Sequence, residues 1–162
     1  MHKITVSIGN IDNAIKQIEN YEKKVKQNVE ELLEKLLENG VQIAKNKIIV
    51  IPPLPALESG ELLRSLNKYI YIKGKMGIIF TDSEHACFVE FGTGVKGANS
   101  SHPTLSGGYD SNGHGTDGWY YYDENQGRIR YTQGMPSRPF MYETARELER
   151  KVVEIAREVF SQ

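Results

Sequence analysis

Five side chains in the middle of the chain are of types that bind metal ions. They supply imidazole nitrogens or carboxylate oxygens, and they are His85, His102, Asp110, His114 and Asp117. Compact metal motifs place their ligands at fixed short spacings, such as two histidines one helical turn apart or paired cysteines, and these residues follow no such spacing. We therefore expect no metal and no cofactor. A metal-assisted hydrolase built on His102, His114 and Asp117 is kept as a hypothesis that metal removal would test.

A second candidate for chemistry is the segment 110–116, which reads DSNGHGT. It resembles the segment that carries the catalytic histidine of subtilisin-like serine proteases. That reaction also needs a serine in its own Gly-Thr-Ser type turn and an earlier aspartate that orients the imidazole. The sequence contains neither partner motif, and after Thr116 it continues with Asp117-Gly118-Trp119 instead of a helix. We therefore predict that the chain is not a protease.

Glu90 is a third candidate, because a carboxyl group between Phe88 and Phe91 could act as an acid or a base. No second carboxylate is placed to share that work with it. We expect Glu90 to make a hydrogen bond at a loop or at a helix end. Since no complete set of reacting groups is found, the chain is predicted not to be an enzyme.

Aromatic and basic side chains form a fourth cluster, later in the chain. Its members are Trp119, Tyr120, Tyr121, Tyr122, Arg128, Arg130 and Tyr131. Such residues could stack on bases or line a DNA channel. They could equally form a twisted hairpin that packs its aromatic face inward, and we favour this interpretation because aromatic residues are good strand formers. DNA binding through the hairpin 119–131 stays the alternative function.

The composition limits the classes of protein to which the chain can belong. Its 162 residues and 39% hydrophobic content suit a single domain, residues 1–162, with a modest core. A formal net charge of -1 argues against a protein whose whole surface binds nucleic acid. Cys87 is the single cysteine, and the sequence has neither an export signal nor an apolar stretch of about 20 residues. These features predict a soluble protein that is made in a reducing cytoplasm and contacts no membrane.

Hydrophobic periodicity predicts a long helix near each end of the chain. Apolar residues recur at steps of three, four or seven from Ile11 to about Lys47, which places them along one stripe of a helix. Gly40 interrupts this pattern and is expected to mark a bend or a break into two helices. The last helix is predicted from Phe140 or Met141 to Val159.

Strands and short helices are predicted in the rest of the chain. The segments are a strand at 3–8, short helices at 61–66 and 84–90, a hairpin of 69–72 with 77–80, and a second hairpin of 119–122 with 128–131. A long exposed loop is predicted at about residues 95–117, which are dense in Gly, Ser, Asn, His and Pro. The predicted fold class is α+β, with both long helices packed on a small antiparallel β-sheet.

Three separated segments resemble one protein family. They are residues 59–66 (SGELLRSL), 85–94 (HACFVEFGTG) and 138–145 (RPFMYETA). In this order they are similar to the minor tail component or neck family of long-tailed double-stranded DNA bacteriophages and prophages. The resemblance implies a structural protein of the virion, assembled in the cytoplasm of the bacterial host, that joins head and tail or completes the head-proximal end of the tail. The implied partners are other copies in a homo-oligomeric ring, head-closure or connector proteins, and tail terminator or tail tube proteins, with non-specific contact to DNA in the channel.

The residue types in these segments suit a scaffold. Gly92 and Gly94 allow positive φ, so the chain can turn sharply out of the short helix. Arg138 and Pro139 end an extended run, and Phe140 opens the last helix as a core residue. A ring subunit needs two different patches that contact each other from copy to copy. We predict that its assembly interface contains two runs of residues, which are Glu90, Phe91, Gly92, Thr93 and Trp119, Tyr120, Tyr121, Tyr122.

Overall fold

The computed structural model describes residues 9, 11–50, 60–71, 73, 75–100, 102–104, 117–124 and 126–161. Their elements follow in the order α1 (Ile11–Ile49), α2 (Glu61–Ser65), β1 (Leu66–Tyr71), β2 (Met76–Thr81), α3 (Ala86–Phe91), α4 (Gly94–Asn99), β3 (Trp119–Asp123), β4 (Arg128–Thr132) and α5 (Phe140–Phe160). The predicted α+β fold class is confirmed. The strand predicted at residues 3–8 lies outside the described residues.

α1 is one continuous helix of 39 residues. Its first half is exposed, including Ile11, Ile15 and Ile18, while its second half packs against α5, β1 and β2. The break into two helices predicted at Gly40 is wrong, because the helix continues through this residue. Gly40 is buried, and a Cβ there would overlap the side chain of Ile79. The glycine therefore allows β2 to approach the helix closely.

The core lies where α1, α2, α3 and α5 meet. Its buried side chains are apolar and come from both ends of the described chain: Ala44, Ile48, Leu62, Leu66, Ala86, Val89 and Phe140. Phe140, the first residue of α5, is only 2% exposed. Burial of a side chain of this size contributes about 1.5–3 kcal/mol, so the packing of Phe140 stabilises the start of α5 in this position.

Both predicted hairpins are present, as two separate two-stranded sheets. In the first, β1 and β2 pair antiparallel from Leu66 opposite Thr81 to Tyr71 opposite Met76. In the second, β3 and β4 pair antiparallel from Trp119 opposite Thr132 to Asp123 opposite Arg128. The first sheet packs on the long helix α1 through both of its strands.

The exposed loop predicted at about residues 95–117 differs from the structure at its start. Residues Gly94–Asn99 form α4, and His102 is only 5% exposed. Lys96 donates its backbone N–H to the carbonyl of Gln133, which ties α4 to the segment after β4. Residues 101 and 105–116 lie outside the described part of the chain. Within that part, no helix combines the length and the apolar character needed to cross a lipid bilayer.

Lys47 joins the two long helices through charge. Its Nζ lies 3.2 Å from Glu143 and 3.4 Å from Glu147, both on α5. The hydrogen bond with Glu143 raises the pKa of Lys47 above its ordinary value. Lys151 and, to a smaller extent, Lys47 lower the pKa of Glu147. The two helices are therefore linked at an exposed site by a small ion-pair network.

We expect Lys47→Met to lower the free energy of unfolding by less than about 1 kcal/mol, the range of partly exposed ion pairs. A raised lysine pKa contributes stability that is present below the ordinary lysine pKa and is lost as pH rises through the raised value. A lowered glutamate pKa contributes stability that is lost as pH falls through the lowered value. Urea unfolding at several pH values should therefore show a difference in the free energy of unfolding between wild type and variant near neutral pH, and no difference at very low or very high pH. Lys45→Met, on the same helix, is the control.

Candidate functional site

Glu90 is buried at the junction of α3 and α5, where its carboxylate caps the first turn of α5. It is 7% exposed, and its two oxygens accept the backbone N–H groups of Met141 at 2.8 Å and Tyr142 at 2.9 Å. The N-terminal N–H groups of a helix have no partner within the helix and carry partial positive charge, so a carboxylate suits this position. The expected hydrogen bond at a helix end is confirmed.

His102 completes the polar part of this junction. Its Nδ1 accepts the backbone N–H of Thr104 at 3.1 Å, which assigns the proton to Nε2, and Nε2 then donates to Glu90 at 3.1 Å. The imidazole also packs against the rings of Phe91 and Tyr142. Both ring nitrogens are thus engaged by the protein.

The hydrogen bonds of His102 bear on the candidate metal ligands considered from the sequence. His102 would have to give up a hydrogen bond before it could bind a metal ion. His85 lies at the N-cap of α3, and no group of three or more potential ligands occurs among the described residues. Asp110 and His114, and with them the protease-like segment 110–116, lie outside the described residues.

A corner of glycines connects the junction to the second hairpin. Gly92 has a φ of 73° and donates its N–H to the carbonyl of Phe88, which ends α3. Thr93 then pairs with Met135 through two backbone hydrogen bonds of 2.9 and 3.2 Å. Gly94 has a φ of 58°, and a Cβ there would lie 2.7 Å from a ring carbon of Trp119. The start of β3 and the segment after β4 are therefore both held against residues 92–94.

Arg138 and Pro139 lead from this corner into α5. The backbone N–H of Arg138 donates to the carbonyl of Val89 at 2.9 Å, and the hydroxyl of Ser137 donates to the carbonyl of Glu90 at 2.7 Å. Burial lowers the pKa of Arg138, and its Nη1 is buried without a hydrogen-bond partner in the described part of the chain. Pro139 occupies the N-cap of α5, where a missing N–H costs little.

The hairpin β3–β4 exposes its aromatic residues, so the inward packing that we favoured from the sequence is wrong. One side of it, which we call the second sheet face, consists of Tyr120, Tyr122, Ile129 and Tyr131. These four residues are between 51% and 74% exposed, and the rings of Tyr120 and Tyr131 contact each other at a centroid distance of 5.2 Å. Arg128 and Arg130 are also exposed. The base of the hairpin, at Trp119, packs against Gly94.

The predicted interface residues divide into buried and exposed groups. Glu90, Gly92 and Thr93 are buried within the chain, and Phe91 and Trp119 are partly buried. These residues therefore support the exposed part of the predicted interface. Tyr120, Tyr121 and Tyr122 are exposed and form part of the surface itself. Trp119, the first residue of the second run, lies against Gly94, the residue that directly follows the first run.

A further exposed apolar surface was missed at the sequence level. The outer side of β1–β2 carries Asn67 and five apolar residues, and we call these five the first sheet face: Tyr69, Tyr71, Met76, Ile78 and Phe80. These residues are between 37% and 56% exposed, while the opposite side of the sheet packs on α1. The available signal was the lack of polar residues at alternate positions in residues 69–72 and 77–80, because strands with two apolar sides are usually covered on both.

Comparison of the chain with protein-family models, with curated proteins and with solved structures finds no match.

Proposed function

We propose that this chain is a structural subunit of a long-tailed bacteriophage or prophage, located in the neck or at the head-proximal end of the tail. In this role it assembles as a ring around the DNA passage and joins head-closure or connector proteins to the tail terminator or tail tube. The observation that carries the proposal is the convergence of the three segments behind the family resemblance. Leu62, Val89 and Phe140, one from each segment, pack in a single core cluster.

Polar contacts between the second and third segments support the same proposal. Glu90 caps α5 and receives a hydrogen bond from His102, and the backbone of Arg138 bonds to Val89. Glu90 and His102, the side chains at this junction that could take part in a reaction, are therefore engaged in contacts that hold α3 and α5 together. An exposed aromatic hairpin projects from the rigid base that results, which is the arrangement a subunit needs to contact neighbours.

A phage that lacks this chain should produce filled heads and complete tails that do not join. Electron microscopy of lysates would show both parts, and plaque counts would fall by several orders of magnitude. Supplying the wild-type chain from a plasmid is the control and should restore joined particles. Purified chain should also bind the head-closure and tail-end proteins of its own genome. Infectious particles at normal yield from the deletion would refute the proposal.

Exposed tyrosines beside arginines also favour a second candidate, DNA binding by the hairpin. Tyr121 could stack on bases, and Arg128, on the same side of the hairpin, could contact phosphates. The nearby carboxylates of Asp123 and Glu124 and the net charge of -1 count against a strong interaction. Fluorescence anisotropy with single-stranded and duplex DNA should show salt-dependent binding under this hypothesis, and absence of binding at low salt would remove it.

A further inference from the structure

The chain exposes two apolar sheet faces that do not cover each other. The first sheet face belongs to strands of six residues and the second to strands of five. At about 3.3 Å per residue, the faces are roughly 20 and 17 Å long, and each is two strands wide. Both consist of aromatic and aliphatic side chains, and contiguous exposed patches of this kind mark sites of protein contact.

We propose that the first sheet face of one copy packs on the second sheet face of the next copy, so that the ring is built by head-to-tail contacts between unlike sheets. This inference deepens the proposed function and rests on it for the ring geometry. Two apolar sheets normally pack face to face at about 10 Å with interdigitating side chains. A contact between two different patches repeats from copy to copy until the rotation closes, which a contact between two like patches cannot do.

The charges at the two turns complement each other. The turn between β1 and β2 carries Lys73 and Lys75, both exposed. The turn between β3 and β4 carries the exposed Glu124, while Asp123, the last residue of β3, is largely buried and paired with Arg130. When the two sheets are aligned with their turns at the same end, Lys73 and Lys75 of one copy lie beside Glu124 of the next. The same alignment of two first sheet faces would bring lysines together, which disfavours that pairing.

The area of the two faces predicts how strongly isolated copies associate. Full burial of an aromatic side chain removes about 150–250 Å² from solvent, so four or five half-exposed residues offer on the order of 400–500 Å² on each face. A standard stable interface buries about 800 Å² from each partner. Association between two copies is therefore expected to be weak and dependent on concentration, whereas each subunit of a closed ring gains two such contacts.

Two variants of the full chain test the pairing. Ile78→Glu places a charge on the first sheet face, and Ile129→Glu places one on the second. Val153→Glu is the matched control, because Val153 is an exposed β-branched residue of α5 that belongs to neither face. Sedimentation velocity over a range of concentrations gives the association of each protein, and thermal melting verifies that each is folded. Tyr69→Lys and Tyr120→Lys repeat the test at a second position on each face.

The wild type and the control are expected to associate with increasing concentration. Each face variant alone should need at least about tenfold more protein for the same association. An equal mixture of the two face variants should form dimers that grow no further, because one intact face remains on each chain. A monomeric wild type, a variant that associates like the control, or a mixture without dimers would overturn the inference. A deletion phage with unjoined heads and tails, found beside any of these results, would leave the proposed function standing.

Discussion

Glu90→Ala is expected to lower the free energy of unfolding by about 3–4 kcal/mol, because a buried donor left without an acceptor costs about 1–3 kcal/mol. Three donors lose their acceptor in this variant: the backbone N–H groups of Met141 and Tyr142 and Nε2 of His102. Water can reach part of the space that the side chain leaves, so the three costs do not add fully. Urea unfolding at pH 7, monitored by circular dichroism, measures the loss.

Two further variants separate the buried carboxylate from general effects on the helix. Glu143→Ala removes an exposed carboxylate from the same first turn of α5 and should cost less than about 1 kcal/mol. Glu90→Gln keeps one acceptor oxygen but turns an NH2 group toward donors, so it should lie between wild type and Glu90→Ala. If Glu90→Ala were no less stable than Glu143→Ala, the capping role assigned to Glu90 would be wrong.

Local patterns in the sequence were sufficient to predict most of the elements. The helical period of its apolar residues predicted α1, and runs of strand-forming residues on either side of short turns predicted the two hairpins; all of these elements are present in the structure. Gly40 shows where this reasoning ends. A glycine in a helix can mark a break or can allow close packing, and only the position of Ile79 on a separate strand distinguishes the two.

Contacts between residues that are far apart in the sequence also explain the errors at the candidate site. α4 has two glycines and no apolar stripe, so its helical form depends on contacts with residues 133–135, far along the chain. The burial of His102 likewise depends on Glu90 and Tyr142. The direction of the aromatic face of β3–β4 could not be inferred, since exposed and buried hairpins use the same strand-forming residues. The glycine corner itself was found, because positive φ favours glycine in any context.

Gly134→Ala is expected to lower the free energy of unfolding by about 3 kcal/mol, for two reasons that add. Gly134 has a φ of 85°, and an L-residue in the left-handed region costs about 1–2 kcal/mol. A Cβ there would also overlap the carbonyl of Thr93. Relief of that overlap requires the backbone at Thr93 to move away from the backbone at Met135, which breaks two hydrogen bonds worth about 1 kcal/mol each.

Gly127→Ala separates these two causes, because Gly127 has a φ of 61° but lies in open space. Among the described residues, the nearest atom to a Cβ at this position would be the hydroxyl oxygen of Tyr122, at the ordinary contact distance of 3.8 Å. Gly127→Ala should therefore lower the free energy of unfolding only by the cost of the left-handed backbone conformation, about 1–2 kcal/mol. Hydrogen exchange should show the amides of Thr93 and Met135 losing protection in Gly134→Ala and keeping it in Gly127→Ala. Since the pairing of Thr93 with Met135 holds the segment that follows β4, weakened protection there should accompany weaker self-association through the second sheet face. Equal stability losses in the two variants would mean that the glycine corner does not hold the hairpin.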